Sequence, residues 1–189
     1  MIFMGNSKSK ISTSDIARCG LCTAIIAICS WIQIPTAVPF TLQTFGVFVT
    51  LGLLGGKLGT ISVLAYIILG TCGLPVFAGF SSGMGVIIGT TGGYLFGFIA
   101  IALVMWLSEK LCGENYNNPV ISVTSMIAGL LIMYAIGTAW FMMVYLKNTG
   151  SIGLGQVISW CVIPFIIPDI LKILCASVII KGVKKYVSA

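Results

Sequence analysis

Apolar residues fall in six blocks along this chain, separated by short polar or glycine-rich breaks. The blocks span about Ile16–Ile34, Phe40–Gly55, Leu58–Cys72, Tyr94–Leu107, Val120–Leu146 and Gln156–Ile180. A helix that crosses a bilayer needs about 20 mostly apolar residues. The pattern therefore predicts an all-α integral membrane protein, with six transmembrane helices in one bundle. The second and third blocks are short for a full crossing, which predicts tilt or partial insertion. The polar stretch 1–14 reads as a cytoplasmic N-terminal tail ahead of one transmembrane substrate-binding domain over 15–189. No short apolar run with a cleavage site follows it, so it does not read as a signal peptide.

Composition removes the soluble alternative. Of 189 residues, 58% are hydrophobic and 7% are charged, with a mean hydropathy of +1.12. A soluble domain carries about 25% charged residues. The few charges are also sorted by side. With a cytoplasmic N-terminus, the inner side holds Lys8, Lys10, Arg18, Lys57, Lys110, Lys181, Lys184 and Lys185, and the outer side only Lys147. That bias follows the positive-inside rule and puts both termini in the cytoplasm. The net charge of +6 is then mostly a topology signal and calls for no nucleic acid. Trp31 and Trp160 fall near outer span ends and Trp106 near an inner one, as an interfacial belt requires. Trp140 is deeper, either in the belt or lining a binding site.

Much chemistry is excluded. Without histidine there is no Ser-His-Asp triad, Cys-His dyad or imidazole metal site. The acids are Asp15, Glu109, Glu114 and Asp169, and only Asp169 lies deep in an apolar block. Gly52–Lys57 resembles a P-loop at a glance. It lacks the required glycine at Leu51 and has Leu58 where Ser or Thr must follow the lysine. Cys19-x-x-Cys22 has no second ligand pair, and the cysteines read as small apolar fillers. No cofactor or metal is expected. A membrane-embedded enzyme would have only Asp169, Lys172 and neutral hydroxyls to work with. Uphill transport would need a partner to supply the energy.

Four features remain. In the last block, Pro164 and Pro168 are expected to disrupt the helical ladder, and Asp169 and Lys172 follow three residues apart on one face. An ionised residue inside a span costs about 2.5–3.5 kcal/mol on insertion scales and marks a functional site by default. Two readings stand: a self-neutralising ion pair, or a polar floor where Lys172 holds a ligand carboxylate and Asp169 accepts ligand N–H groups. The glycine-rich segment Gly73–Gly85 reads as an outer loop, either a simple connection or a mobile lid. Gly89, Gly93 and Gly97 repeat every four residues, forming a thin face for close helix packing, with Tyr94 at the head of the span. Gly20-x-x-x-Ala24 gives the first span a small-residue face for internal packing or for docking another membrane subunit.

The chain resembles the BioY family, the biotin-specific substrate-binding (S) components of energy-coupling-factor (ECF) transporters. The resemblance covers nearly the whole chain. It rests on Val38-Pro39-Phe40-Thr41-Leu42-Gln43-Thr44, Gly73-Leu74-Pro75-Val76-Phe77, Gly92-Gly93-Tyr94-Leu95-Phe96-Gly97-Phe98 and Pro168-Asp169-Ile170-Leu171-Lys172, in that order. It implies a six-helix bundle in the bacterial cytoplasmic membrane that binds biotin with high affinity near its outer face. It also implies as partners a transmembrane scaffold subunit and two cytosolic ATPases. By the same analogy, Asp169 and Lys172 match the pocket's polar residues, and Ser81, Ser82, Gly83 and Tyr94 match other pocket walls; Gln43 and Trp140 complete the expected substrate-binding set. Gly20 and Ala24 match the face that docks the scaffold. The chain departs from the family at Thr90, where proline is common, at Leu95, where some members have arginine, and at Ser81, where asparagine occurs. A sister subunit for another vitamin, and a stand-alone carrier, are the alternatives.

Overall fold

The computed structural model describes residues 11–36 and 38–187. Lys8, Lys10 and most of the expected N-terminal tail lie outside these. Helix α1 is Thr13–Trp31, so the boundary expected after residue 14 falls inside a helix. A capping box sets its start: the Ser12 hydroxyl accepts from Asp15 N–H, and the Asp15 carboxylate accepts from Ser12 N–H. A two-strand hairpin follows, β1 Gln33–Ile34 with β2 Phe40–Thr41, pairing Gln33 with Thr41 and Ile34 with Phe40. Helices α2 Gln43–Thr71, α3 Met84–Ile88, α4 Gly92–Cys112, α5 Pro119–Asn148, α6 Leu154–Cys161 and α7 Ile163–Val187 complete the chain.

Among the described residues, five helical stretches are long and apolar enough to cross a membrane, with α6 and α7 counted together. Helix α2 is interrupted at Gly55, whose φ of +75° belongs to glycine. The chain doubles back there. A Cβ on Gly59 would lie 2.9 Å from the Leu51 Cα, and Gln43 Nε2 reaches the Tyr66 hydroxyl at 2.8 Å, contacts impossible along one straight helix. The two arms, 43–54 and 56–71, are antiparallel. Glu109 of α4 seals the turn by accepting from Gly56 N–H.

The remaining contacts fix the direction of each helix. Thr23 of α1 donates to the Ser62 carbonyl and Cys19 to that of Leu58, both 39 residues on, so α1 runs parallel to the second arm of α2. The first arm runs alongside α7, with Thr44 at Asp169 and Gly52 against Ile180. Helices α4 and α5 are antiparallel and nearly touch. A Cβ on Gly97 would meet Met133 Cγ at 2.4 Å, one on Gly93 the Trp140 Cβ at 2.2 Å, and one on Gly129 the Ile101 Cα at 3.1 Å. The expected close-packed face thus includes Gly93 and Gly97. Gly89 lies before α4 starts and is not on that helix face.

One end of the bundle therefore collects the start of α1, the Gly55 turn, the end of α4 and the end of α7. It carries Arg18, Lys57, Lys110, Lys181, Lys184 and Lys185. The opposite end carries Lys147, the β-hairpin and the 72–91 segment.

The last block departs from expectation. The helical break falls at Val162 (φ −126°, ψ −57°), before the prolines, and α7 runs unbroken through Pro168. Pro164 occupies the second position of α7, where its missing N–H has no intrahelical role. Asp169 therefore sits in the second turn of an unbroken α7.

Candidate ligand-binding site

The end opposite the lysine cluster contains a cavity of about 300 Å³. That is at the low end of the range for small-molecule sites, roughly 300–1,000 Å³. Its walls come from four places: the β-hairpin and start of α2, the 77–91 segment, the facing turns of α4 and α5, and the start of α7 with Cys161 beside it. All four sequence motifs thus supply lining, through residues such as Thr41 and Thr44, Phe77, Tyr94, and Lys172.

The floor is polar. Lys172 Nζ lies 2.7 Å from Asp169 Oδ1 and 3.1 Å from Thr44 Oγ1. It also stands 4.4 Å from the centre of the Phe40 ring, a cation–π contact. The Thr44 hydroxyl donates to Asp169 Oδ1, and Tyr134 of α5 donates to Asp169 Oδ2. Asp169 and Lys172 are 2% and 6% exposed, so neither charge is solvated by bulk water. Burial of a paired charge demands such partners, because the desolvation penalty is several kcal/mol per ion. Thr44 and Tyr134 were not singled out from sequence. Neither is charged, and they lie 125 and 35 residues from Asp169.

Gln43 also reaches the lining, with its amide engaged by Tyr66. The Tyr66 hydroxyl donates onward to the Val76 carbonyl at 3.0 Å, and the Ser30 hydroxyl donates to the same oxygen. The Trp31 indole N–H donates to the Pro75 carbonyl at 2.9 Å. Phe77 fills the space above Gly70 and meets the Tyr66 ring edge-on at 5.5 Å. Gly73-Leu74-Pro75-Val76-Phe77 is therefore an anchor. The 72–91 segment is a folded cap with a 3-10 turn at Ala78–Phe80 and helix α3, and not a plain loop. Ser81 faces the cavity, whereas Ser82 and Gly83 flank the lining without joining it.

Tyr94 lines the cavity from α4, and its ring rests on Gly137 of α5. Trp140 stands outside the lining. Its indole N–H donates to the Gly89 carbonyl at 2.9 Å, so it holds the cap in place from behind. Gly20 and Ala24 lie far from the cavity on the exposed face of α1, and a Cβ on Gly20 would meet nothing within 4 Å.

A helical bundle built for lipid, with a capped, mostly apolar cavity and one buried ion pair as its floor, defines a membrane protein that binds a small molecule. The particular family is clear from comparison: the chain belongs to the BioY family, whose profile matches residues 5–189. It is 40% identical over 172 residues to a biotin transporter BioY of Thermotoga maritima, covering 90% of this chain and 96% of that one. It is 35% identical over 170 residues to a probable biotin transporter BioY of Pyrococcus horikoshii, covering 89% and 95%. Its fold matches the crystal structure of the S-component for biotin from an ECF-type ABC transporter, with a TM-score of 0.79 at 27% identity over 97% of this chain and 95% of that one. The protein is a multi-pass cell-membrane protein.

Proposed function

We propose that this chain binds biotin in the capped cavity and is the substrate-specific subunit of an ECF-type biotin transporter. One observation carries the chemistry: the cavity floor presents a cation and a carboxylate 2.7 Å apart. A cyclic urea offers a carbonyl acceptor flanked by N–H donors, and so can meet Lys172 and Asp169 together. A ligand carboxylate would meet Lys172 but be repelled by Asp169 beside it. This favours the ureido head at the floor, and differs from an assignment of the biotin carboxylate to Lys172. The apolar walls suit the fused rings and the aliphatic chain.

The reading includes six crossings, with the two arms of α2 counted separately and both termini cytoplasmic. The lysine-rich end supports that orientation through the positive-inside rule. It treats 15–189 as one substrate-binding domain, with 1–14 as a tail. It takes Asp169, Lys172, Tyr94, Ser81 and Gln43 as ligand-facing residues, and Ser82, Gly83 and Trp140 as supports of the cap. Energy comes from partners, a membrane scaffold and two cytosolic ATPases, with Gly20 and Ala24 on the docking face. Calorimetric titration of the purified chain tests the core of this: biotin binds at one site, and riboflavin and thiamine do not compete. Competition by either vitamin would reassign the substrate. ATP-independent biotin accumulation in vesicles holding this chain alone would overturn the dependence on ATPases.

A further inference from the structure

The lysine-rich end holds a second cleft, of about 410 Å³, that the transport reading leaves unused. It lies where the Gly55 reversal of α2 meets the last turns of α4. Leu54, Lys57 and Leu58 line it from the reversal, and Trp106, Glu109 and Lys110 from α4. The stretch 52–57 is the one that resembles a P-loop at a glance, yet its Gly56 N–H is already taken by Glu109 Oε2. An anion in this cleft would therefore meet the two lysine side chains.

The positive-inside rule accounts for these lysines, but not for a carboxylate oxygen left unpaired beside them. Lys57 and Lys110 are both exposed. Among the described residues neither forms a salt bridge with Glu109, and Lys110 instead places Nζ 4.7 Å from the centre of the Trp106 ring. Glu109 Oε2 is engaged by the backbone, whereas Oε1 has no donor among the described residues and is not sealed from solvent. The cleft thus offers open ammonium groups and an open carboxylate oxygen together. Apolar surface adjoins them. Leu103 and Leu107 are exposed on α4, three residues before Trp106 and Lys110 and so on the same face.

A ligand that fits carries a phosphate for the lysines, an ammonium with N–H groups for Glu109 Oε1, and acyl chains for the leucines. For a chain whose solvent is lipid, that combination is an aminophospholipid. We infer that this cleft binds the headgroup of phosphatidylethanolamine at the lysine-rich face of the membrane, with the acyl chains along α4. The site is independent of what the capped cavity binds.

The test presents the full chain, purified in detergent, with equal amounts of phosphatidylethanolamine, phosphatidylcholine and phosphatidylglycerol of matched acyl chains. Native mass spectrometry counts the lipid retained. Wild type should retain phosphatidylethanolamine about 3- to 5-fold over phosphatidylcholine, whose quaternary ammonium has no N–H; an exposed charge pair is worth up to about that factor. Phosphatidylglycerol should also fall below it, because its headgroup has no cation for Glu109. Glu109→Gln keeps an acceptor for the Gly56 N–H and removes the charge. It should bring phosphatidylethanolamine and phosphatidylcholine to parity. Lys57→Gln combined with Lys110→Gln should lower retention of both. Stepwise N-methylation of the headgroup needs no variant, and should lower retention by wild type in steps even if Glu109→Gln loosens the reversal. Equal retention of the three lipids, preference for phosphatidylglycerol, a flat methylation series, or displacement of the bound lipid by inorganic phosphate would each overturn the site.

Discussion

Lys172 and Asp169 sit one turn apart on α7 with 2.7 Å between Nζ and Oδ1, and each also bonds to Thr44 of α2. Together with Tyr134, the pair ties α2, α5 and α7 at the floor of the cavity. A structural role and a ligand role make different predictions for it. Removing one member leaves a buried charge alone, at about 3–5 kcal/mol. Asp169→Ala and Lys172→Ala should each lower the thermal midpoint and abolish biotin binding. The double variant Asp169→Leu/Lys172→Met replaces both charges by apolar side chains, which is often neutral or stabilising. It should recover most of the midpoint and still bind no biotin. Retained binding in that stable double variant would reduce the pair to a scaffold element.

Glycine at the α4–α5 contact makes a second prediction. A methyl on Gly137 would lie 2.3 Å from the Tyr94 ring, which has little room to yield. Gly137→Ala should therefore displace Tyr94 into the cavity and weaken biotin more than 10-fold. Overpacking of this kind costs typically 1–3 kcal/mol in stability. Tyr94→Phe in the same background should not rescue binding, because the clash is with ring carbons. Calorimetry on the two variants checks both points.

What the sequence disclosed follows from which features are costly. The apolar blocks and the sorted lysines were legible because lipid tolerates no alternative. Asp169 and Lys172 were legible because a charge inside a span is expensive. The reversal near Gly55 also fell between two apolar blocks. Thr44 and Tyr134 were not legible. A hydroxyl in an apolar run carries little penalty, and nothing local marks its direction. The break at Val162 was hidden for a similar reason. Prolines 164 and 168 drew attention, yet the first is harmless in an initial helical turn and the helix absorbs the second. The cap was expected as a simple connection or a mobile lid. Its anchors to Pro75, Val76 and Gly89 are made by side chains from α1, α2 and α5, which no local pattern reveals.

Those anchors make the cap's behaviour testable. Trp140→Phe keeps an aromatic ring near Phe96, now 5.5 Å away, but removes the donor to the Gly89 carbonyl. A neutral hydrogen bond contributes about 1 kcal/mol, or roughly 5-fold in an equilibrium. Biotin dissociation should quicken by about that factor in stopped-flow exchange, with the fold unchanged. Ser81→Ala, whose hydroxyl bonds within the cap to the Ala78 carbonyl, should act in the same direction. If neither variant alters the dissociation rate, the cap does not gate release.

The exposed face of α1 separates binding from transport. Gly20 has open space around it and Ala24 is exposed one turn on, so a larger side chain there disturbs no internal contact. Gly20→Leu should leave the thermal midpoint and biotin affinity of the isolated chain unchanged. If this face docks the scaffold subunit, the added bulk blocks close helix approach, the basis of small-residue contacts in lipid. Biotin uptake by cells that carry the complete transporter should then fall more than 10-fold, and co-purification of the scaffold should fail. A Gly20→Leu chain that still assembles and takes up biotin would move the docking surface elsewhere on the bundle. A loss of both affinity and uptake would show instead that α1 packs through Gly20, against the open space seen there.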